Sequence, residues 1–99
     1  MHVQFVYGAK GGAFRSAIQA EAVNRGFALT ISHPFIGFDV ADWHDFLSIV
    51  WAAACECSRD ERGQEFVNRI PVSVEINGRT YYTQVWVDVA QKCLRYASL

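Results

Sequence analysis

Hydrophobic and polar positions alternate from the start of the chain. Val3, Phe5 and Tyr7 interleave with His2, Gln4 and Val6, which predicts a strand over residues 3–7. A glycine-rich turn, Gly8-Ala9-Lys10-Gly11-Gly12, then gives way to a helical period. Phe14, Ile18 and Ala22 recur four apart with Ala17 alongside, predicting a helix over residues 13–25 with one apolar face. Glu21 lies close to that face and breaks its pattern; Gly26 is placed to end the helix. A second strand is expected over residues 27–32, with Phe27, Leu29 and Ile31 on one side.

Pro34 and Gly37 punctuate residues 33–38, which therefore read as a loop, apolar enough to fold back on the core. Asp39 is the expected N-cap of a second helix, and Asp42 sits near the favourable end of its dipole. That helix runs to about Cys57, with Trp43, Phe46, Leu47, Val50, Ala54 and Cys57 as its core stripe and Trp51 flanking. Residues 58–65 read as a solvated connection.

The strongest local signal follows. Ile70, Val72, Val74 and Ile76 alternate up to Asn77-Gly78, and Tyr81, Thr83, Val85 and Val87 alternate after it. Asn-Gly between alternating strands is the preferred type I′ hairpin turn, because both central residues need positive φ. A two-residue turn fixes the register and sets Val74 opposite Tyr81, Val72 opposite Thr83 and Ile70 opposite Val85. The last ten residues admit two readings, a short helix capped by Asp88 or an edge strand over residues 93–97. The expected order is β-α-β-α-β-β plus that tail, an α+β two-layer sandwich with the helices on one face of the sheet.

The chain's 99 residues fit a single domain spanning 1–99. With 52% apolar and 19% charged residues it is globular, and a formal charge of −1 removes a global basic excess as an argument for nucleic-acid binding. Such balance permits self-association. Three cysteines, an amino terminus without a signal-like apolar run, and no bilayer-length apolar stretch point to a reduced, cytoplasmic protein without a membrane partner.

Candidate chemistry is thin. The turn from Lys10 to Ser16 echoes a phosphate-binding loop, but Phe14 replaces the glycine that the backbone cradle needs and Arg15 replaces the key lysine. What survives is weak anion binding by Lys10, Gly11 and Gly12 at the helix start. Cys55 and Cys57 are two apart on a helix and point about 200° away from each other, so they cannot chelate one ion. No metal or cofactor is expected. His33, Asp39, Asp42, His44 and Asp45 gather two imidazoles and three carboxylates, yet nothing supplies a nucleophile with an oriented base. No catalytic residue is assigned, and the chain is read as a non-enzyme.

Hairpin register gives the face away from the helices to Arg69, Pro71, Ser73 and Glu75, opposite Trp86, Gln84, Tyr82 and Thr80. Tyr82 and Trp86 are large aromatics on a mostly polar face, and Arg69 stands opposite Trp86 where it could stack. Tyr82, Trp86, Arg69 and Arg79 are therefore the candidate binding residues. The leading expectation is a non-enzymatic protein-binding module docking on a protein or ribonucleoprotein. In its sharper form this is a phage- or mobile-element-encoded inhibitor of a bacterial machine, of the anti-CRISPR kind. One alternative is single-stranded nucleic-acid binding through the sheet aromatics, against which the expected order stands, since it is not β-α-β-β-α-β. The other is a homodimeric enzyme or ligand-binding subunit with a composite site.

Overall fold

In the computed structural model, which describes residues 1–6, 12–32, 34–60 and 67–97, the elements in chain order are β1 (His2–Val6), α1 (Gly12–Asn24), β2 (Thr30–Ser32), β3 (Phe35–Asp39), α2 (Trp43–Asp60), β4 (Val67–Ile76), β5 (Arg79–Asp88) and β6 (Cys93–Tyr96). The strands form one sheet in the order β2-β3-β1-β4-β5-β6, and every neighbouring pair is antiparallel. The chain is thus the expected α+β sandwich of one sheet and two helices. β3 lies between β1 and β2, and β1 lies between β3 and β4. Two split β-α-β units interleave, the ferredoxin-like arrangement, with β5 and β6 added at one side.

The added strand corrects the reading of residues 33–38 as a loop. Ile36, Phe38 and Val40 alternate and are buried, while Phe35 and Asp39 are exposed. Pro34 precedes the strand, where proline's missing N–H costs no ladder bond. Gly37 is within the strand because the neighbouring strand comes too close for a side chain. A Cβ there would meet Nε2 of His2 at 2.7 Å and the Val3 carbonyl oxygen at 2.9 Å. The predicted second strand shortens to three residues at the sheet edge, and Phe27 and Leu29 pack on the core from outside it.

The N-cap of α2 is also corrected. Asp39 belongs to β3, where its carboxylate meets Nδ1 of His2 at 2.8 Å. Asp42 caps instead, its Oδ1 accepting the His44 amide at 2.9 Å, the second helical N–H. The helix buries Trp43, Phe46, Ile49, Val50, Ala53 and Ala54. Ile49 and Ala53 widen the predicted stripe, and Leu47 and Cys57 lie at its margin.

α1 presents Phe14, Ile18 and Ala22 to the core as the period predicts. It ends in a Schellman motif: the Phe27 amide donates to the Ala22 carbonyl and the Gly26 amide to the Val23 carbonyl. Glu21 is explained by a partner. Its carboxylate accepts from Nε of Arg25 at 2.8 Å, and Arg25 also donates to Ser48 Oγ on α2, joining the two helices.

The hairpin adopts the predicted register, with Val74 opposite Tyr81, Val72 opposite Thr83 and Ile70 opposite Val85. Asn77 and Gly78 take φ of 51° and 79°, as a type I′ turn requires. Of the two readings of the tail, the edge strand is correct. Asp88 caps a turn, its Oδ1 accepting the Gln91 amide, and the chain returns as β6 beside β5. Tyr96 then packs edge-on against Trp43 with ring centroids 5.5 Å apart, so the tail is tied to α2.

Both helices cover one face. Val3, Phe5, Ile36, Phe38, Val72, Val74 and Val85 from the sheet meet them in a single core. The opposite face is left open.

Candidate functional site

Antiparallel partners share a face, so the register assigns the open side residue by residue. Thr30, Gly37, Gln4, Ser73 and Tyr82 form one row across the sheet. Asp39, His2, Glu75 and Thr80 form the row at one end. Phe35 and Val6 pair in the next row towards the other end, level with Pro71 and Gln84. Arg69, Trp86 and Arg95 form the last of these rows.

A cleft of about 410 Å³ opens in the middle of this face. Its lining combines Val6, Phe35, Pro71, Trp86 and Ala97 with the polar ends of Gln4, Ser73, Tyr82 and Gln84. The sequence explains its position. The β1–β4 ladder ends at Phe5 opposite Val72, one residue short of Pro71, which has no N–H to continue it. Phe5 and Val72 from the helix-side layer, the last pair of that ladder, also line the cleft.

The aromatics differ in setting. Tyr82 stands 80% exposed beside the cleft, whereas Trp86 is half-buried. The guanidinium of Arg95 lies 5.6 Å from the Trp86 ring centroid, a cation–π contact that holds the indole in place. Residues 93–97 run alongside β5 as its neighbour and leave Tyr82 uncovered.

The expected binding residues are therefore only partly united. Tyr82, Trp86 and Arg69 share the open face, and Arg69 is opposite Trp86 as predicted. Arg79 does not join them. It has the parity of Tyr81, Thr83 and Val85, whose side chains belong to the helix-side face, and it sits at the hairpin tip. Phe35, Val6, Pro71 and Arg95 complete the site. Phe35 was hidden by the loop reading, although the alternation of Ile36, Phe38 and Val40 would have placed it outward. Arg95 needed the β5–β6 pairing, which no local pattern gives.

The other candidates disperse. Lys10 and Gly11 fall outside the described residues, as does His33, and Gly12 opens α1. Asp39 pairs with His2, Asp42 caps α2, and His44 and Asp45 are exposed on the first turn of that helix. Cys55, Cys57 and Cys93 are not joined in disulfides, and Cys57 Sγ donates to the Ala13 carbonyl oxygen at 3.7 Å. Among the described residues no His, Cys, Asp and Glu side chains cluster as a metal site, and no helix is long and apolar enough to cross a membrane.

No protein-family model, curated protein or solved structure matches the chain.

Proposed function

We propose that this chain is a non-enzymatic protein-binding module that docks the open face of its sheet on a partner. The observation that carries this reading is Tyr82, a large aromatic 80% exposed on a rigid strand, beside an apolar cleft bounded by the Arg95–Trp86 pair. Tyr, Trp and Arg dominate interface hot spots because they offer large contact area at low entropic cost. The cleft gives an incoming side chain somewhere to be buried. Held on antiparallel strands, the site needs no ordering on binding, which favours affinity. A phage- or mobile-element-encoded inhibitor that covers a surface of a bacterial machine is the sharper form of this reading. Three cysteines with no disulfide among them fit a reducing, cytoplasmic setting.

One observation favours a second reading. The β-α-β-β-α-β core removes the topological argument against single-stranded nucleic acid, and open-face aromatics are where such folds stack bases. The carboxylates of Asp39 and Glu75 on the same face oppose a polyanion, which ranks this reading second.

The test is binding by the wild type and by Tyr82→Ala and Trp86→Ala, with nuclease-treated controls. Tyr82→Ala is expected to weaken partner binding by about 2 kcal/mol, as for a hot-spot tyrosine. Its thermal stability should stay within about 0.5 kcal/mol, because the side chain is exposed. Undiminished binding by both variants would refute docking through this face. Binding that is nuclease-sensitive and falls steeply with salt would move the assignment to nucleic acid.

A further inference from the structure

At about 410 Å³ the cleft has the size of a small-molecule pocket, for which roughly 300–1,000 Å³ is usual. The rows of the sheet order its lining. Gln4, Ser73 and Tyr82 share one row and set polar groups along one side. Val6, Phe35 and Pro71 lie in the next row with Gln84, and Trp86 stands beyond them. Along β5, Tyr82 and Trp86 are four residues apart, about 13 Å, with Gln84 between them. A flat ring entering there meets aromatic surface at either end and Pro71 at its side. Among the described residues that line the cleft, none is charged. A charge placed there would lose water without gaining a counter-ion. Gln4, Ser73 and Gln84 are half-buried, and their side chains hydrogen-bond to no other described residue. Each glutamine amide offers a donor and an acceptor side by side.

We infer that this cleft binds a nucleobase, an uncharged flat ring whose edge carries donors and acceptors together. The inference goes beyond protein docking and does not rest on it, because it needs no partner protein. Phe35, Tyr82 and Trp86 supply faces on which a base stacks. Gln4 and Gln84 supply the matching edges, since a primary amide pairs in two places with an amino group and an adjacent ring nitrogen, as glutamine does with adenine. A purely apolar ligand would leave these half-buried amides without partners. A phosphate has no cation in the cleft to meet, so the sugar side of the ligand points outward. For a nucleoside of about twenty non-hydrogen atoms, ordinary ligand efficiency gives a Kd on the order of 0.1 mM. The base arrives either on a free nucleoside or as one unit of a single strand, and these two sources differ in charge.

Titration of the full chain with adenosine, inosine, cytidine and uridine, followed by amide chemical shifts, tests this. At least one nucleoside should give saturable shifts centred on Val6, Ser73 and Gln84, with affinity insensitive to salt. Gln84→Leu keeps the size of the side chain but removes its donor and acceptor, and should weaken binding about tenfold. Ser73→Trp fills the cleft and should abolish binding, and circular dichroism checks that both variants are folded. An adenine hexanucleotide separates the sources. Affinity at least about tenfold above adenosine that falls with salt assigns the base to a strand, whereas equal affinity assigns it to the free nucleoside. Either result upholds base recognition in the cleft. Absence of saturable shifts with all four nucleosides at about 5 mM, fifty times the expected Kd, overturns the inference. So does binding that both folded variants retain in full. If nucleosides fail but a protein partner is captured, and Tyr82→Ala abolishes that capture, the docking reading stands and the nucleobase site is ruled out.

Discussion

Replacing Gly37 by alanine sets two opposing effects against each other, and the structure decides the sign. In an unstrained strand, alanine for glycine stabilises by about 0.5–1 kcal/mol, because the unfolded chain has less freedom to lose. Gly37 lies on β3 beside β1, where an added Cβ would stand 2.7 Å from His2 Nε2 and 2.9 Å from the Val3 carbonyl oxygen, against 3.4 Å for ordinary contact. The imidazole is the end of a side chain and can move. The carbonyl is backbone of a central strand paired on both sides, so a shift of about 0.5 Å has to be taken up by the sheet. Overpacking of this kind costs about 1–3 kcal/mol. Net destabilisation of about 1.5 kcal/mol is expected, a fall in Tm of roughly 6–12 °C for a domain of this size. Thermal and urea unfolding followed by circular dichroism measure it. Repeating the substitution in a His2→Ala background separates the contacts: the loss should shrink but persist, because the carbonyl remains. Gly37→Ala variants as stable as their parents in both backgrounds would refute the steric argument.

Thr83→Val removes the buried hydroxyl that donates to the Ala97 carbonyl at 2.6 Å, so a loss of about 1 kcal/mol is expected. Faster hydrogen exchange at the Ala97 amide, which donates to the Gln84 carbonyl, would localise that loss to the tail. Lys92 has φ of 50°, a left-handed conformation costing a non-glycine residue about 1 kcal/mol. Lys92→Gly should leave stability unchanged or raise it by up to about 0.5 kcal/mol, whereas Lys92→Val should lower it in the same urea titration. Among the described residues, the buried Nε1 of Trp43 has no hydrogen-bond partner. Trp43→Phe should therefore change stability by less than about 1 kcal/mol, lost packing being offset by removal of an unsatisfied donor; a loss above about 3 kcal/mol would show that the indole N–H is satisfied.

Local pattern was sufficient where the determinant is local. The helical period of Phe14, Ile18 and Ala22 and the Asn77-Gly78 turn are properties of adjacent residues, and each appears as expected. The turn also fixed which side chains of β4 and β5 point outward, so Tyr82, Trp86 and Arg69 were legible as one face before any tertiary contact was known. Arg79 has the opposite parity to Tyr82 and Trp86 and sits at the hairpin tip, away from that face.

What the sequence could not decide depends on strands distant along the chain. Proline and glycine usually break structure, and around Phe35 they concealed a strand whose justification is the passage of β1 beside Gly37. Asp39 looks like a helix cap until pairing with β1 brings it to His2. The cleft lies where the pairing of β4 to β1, more than sixty residues earlier, stops one residue short of Pro71, and Arg95 reaches Trp86 only because the tail adds as an edge strand. Periodicity tells a residue which side of its own strand it occupies. Only the order of strands in the sheet tells it which residues it will meet there.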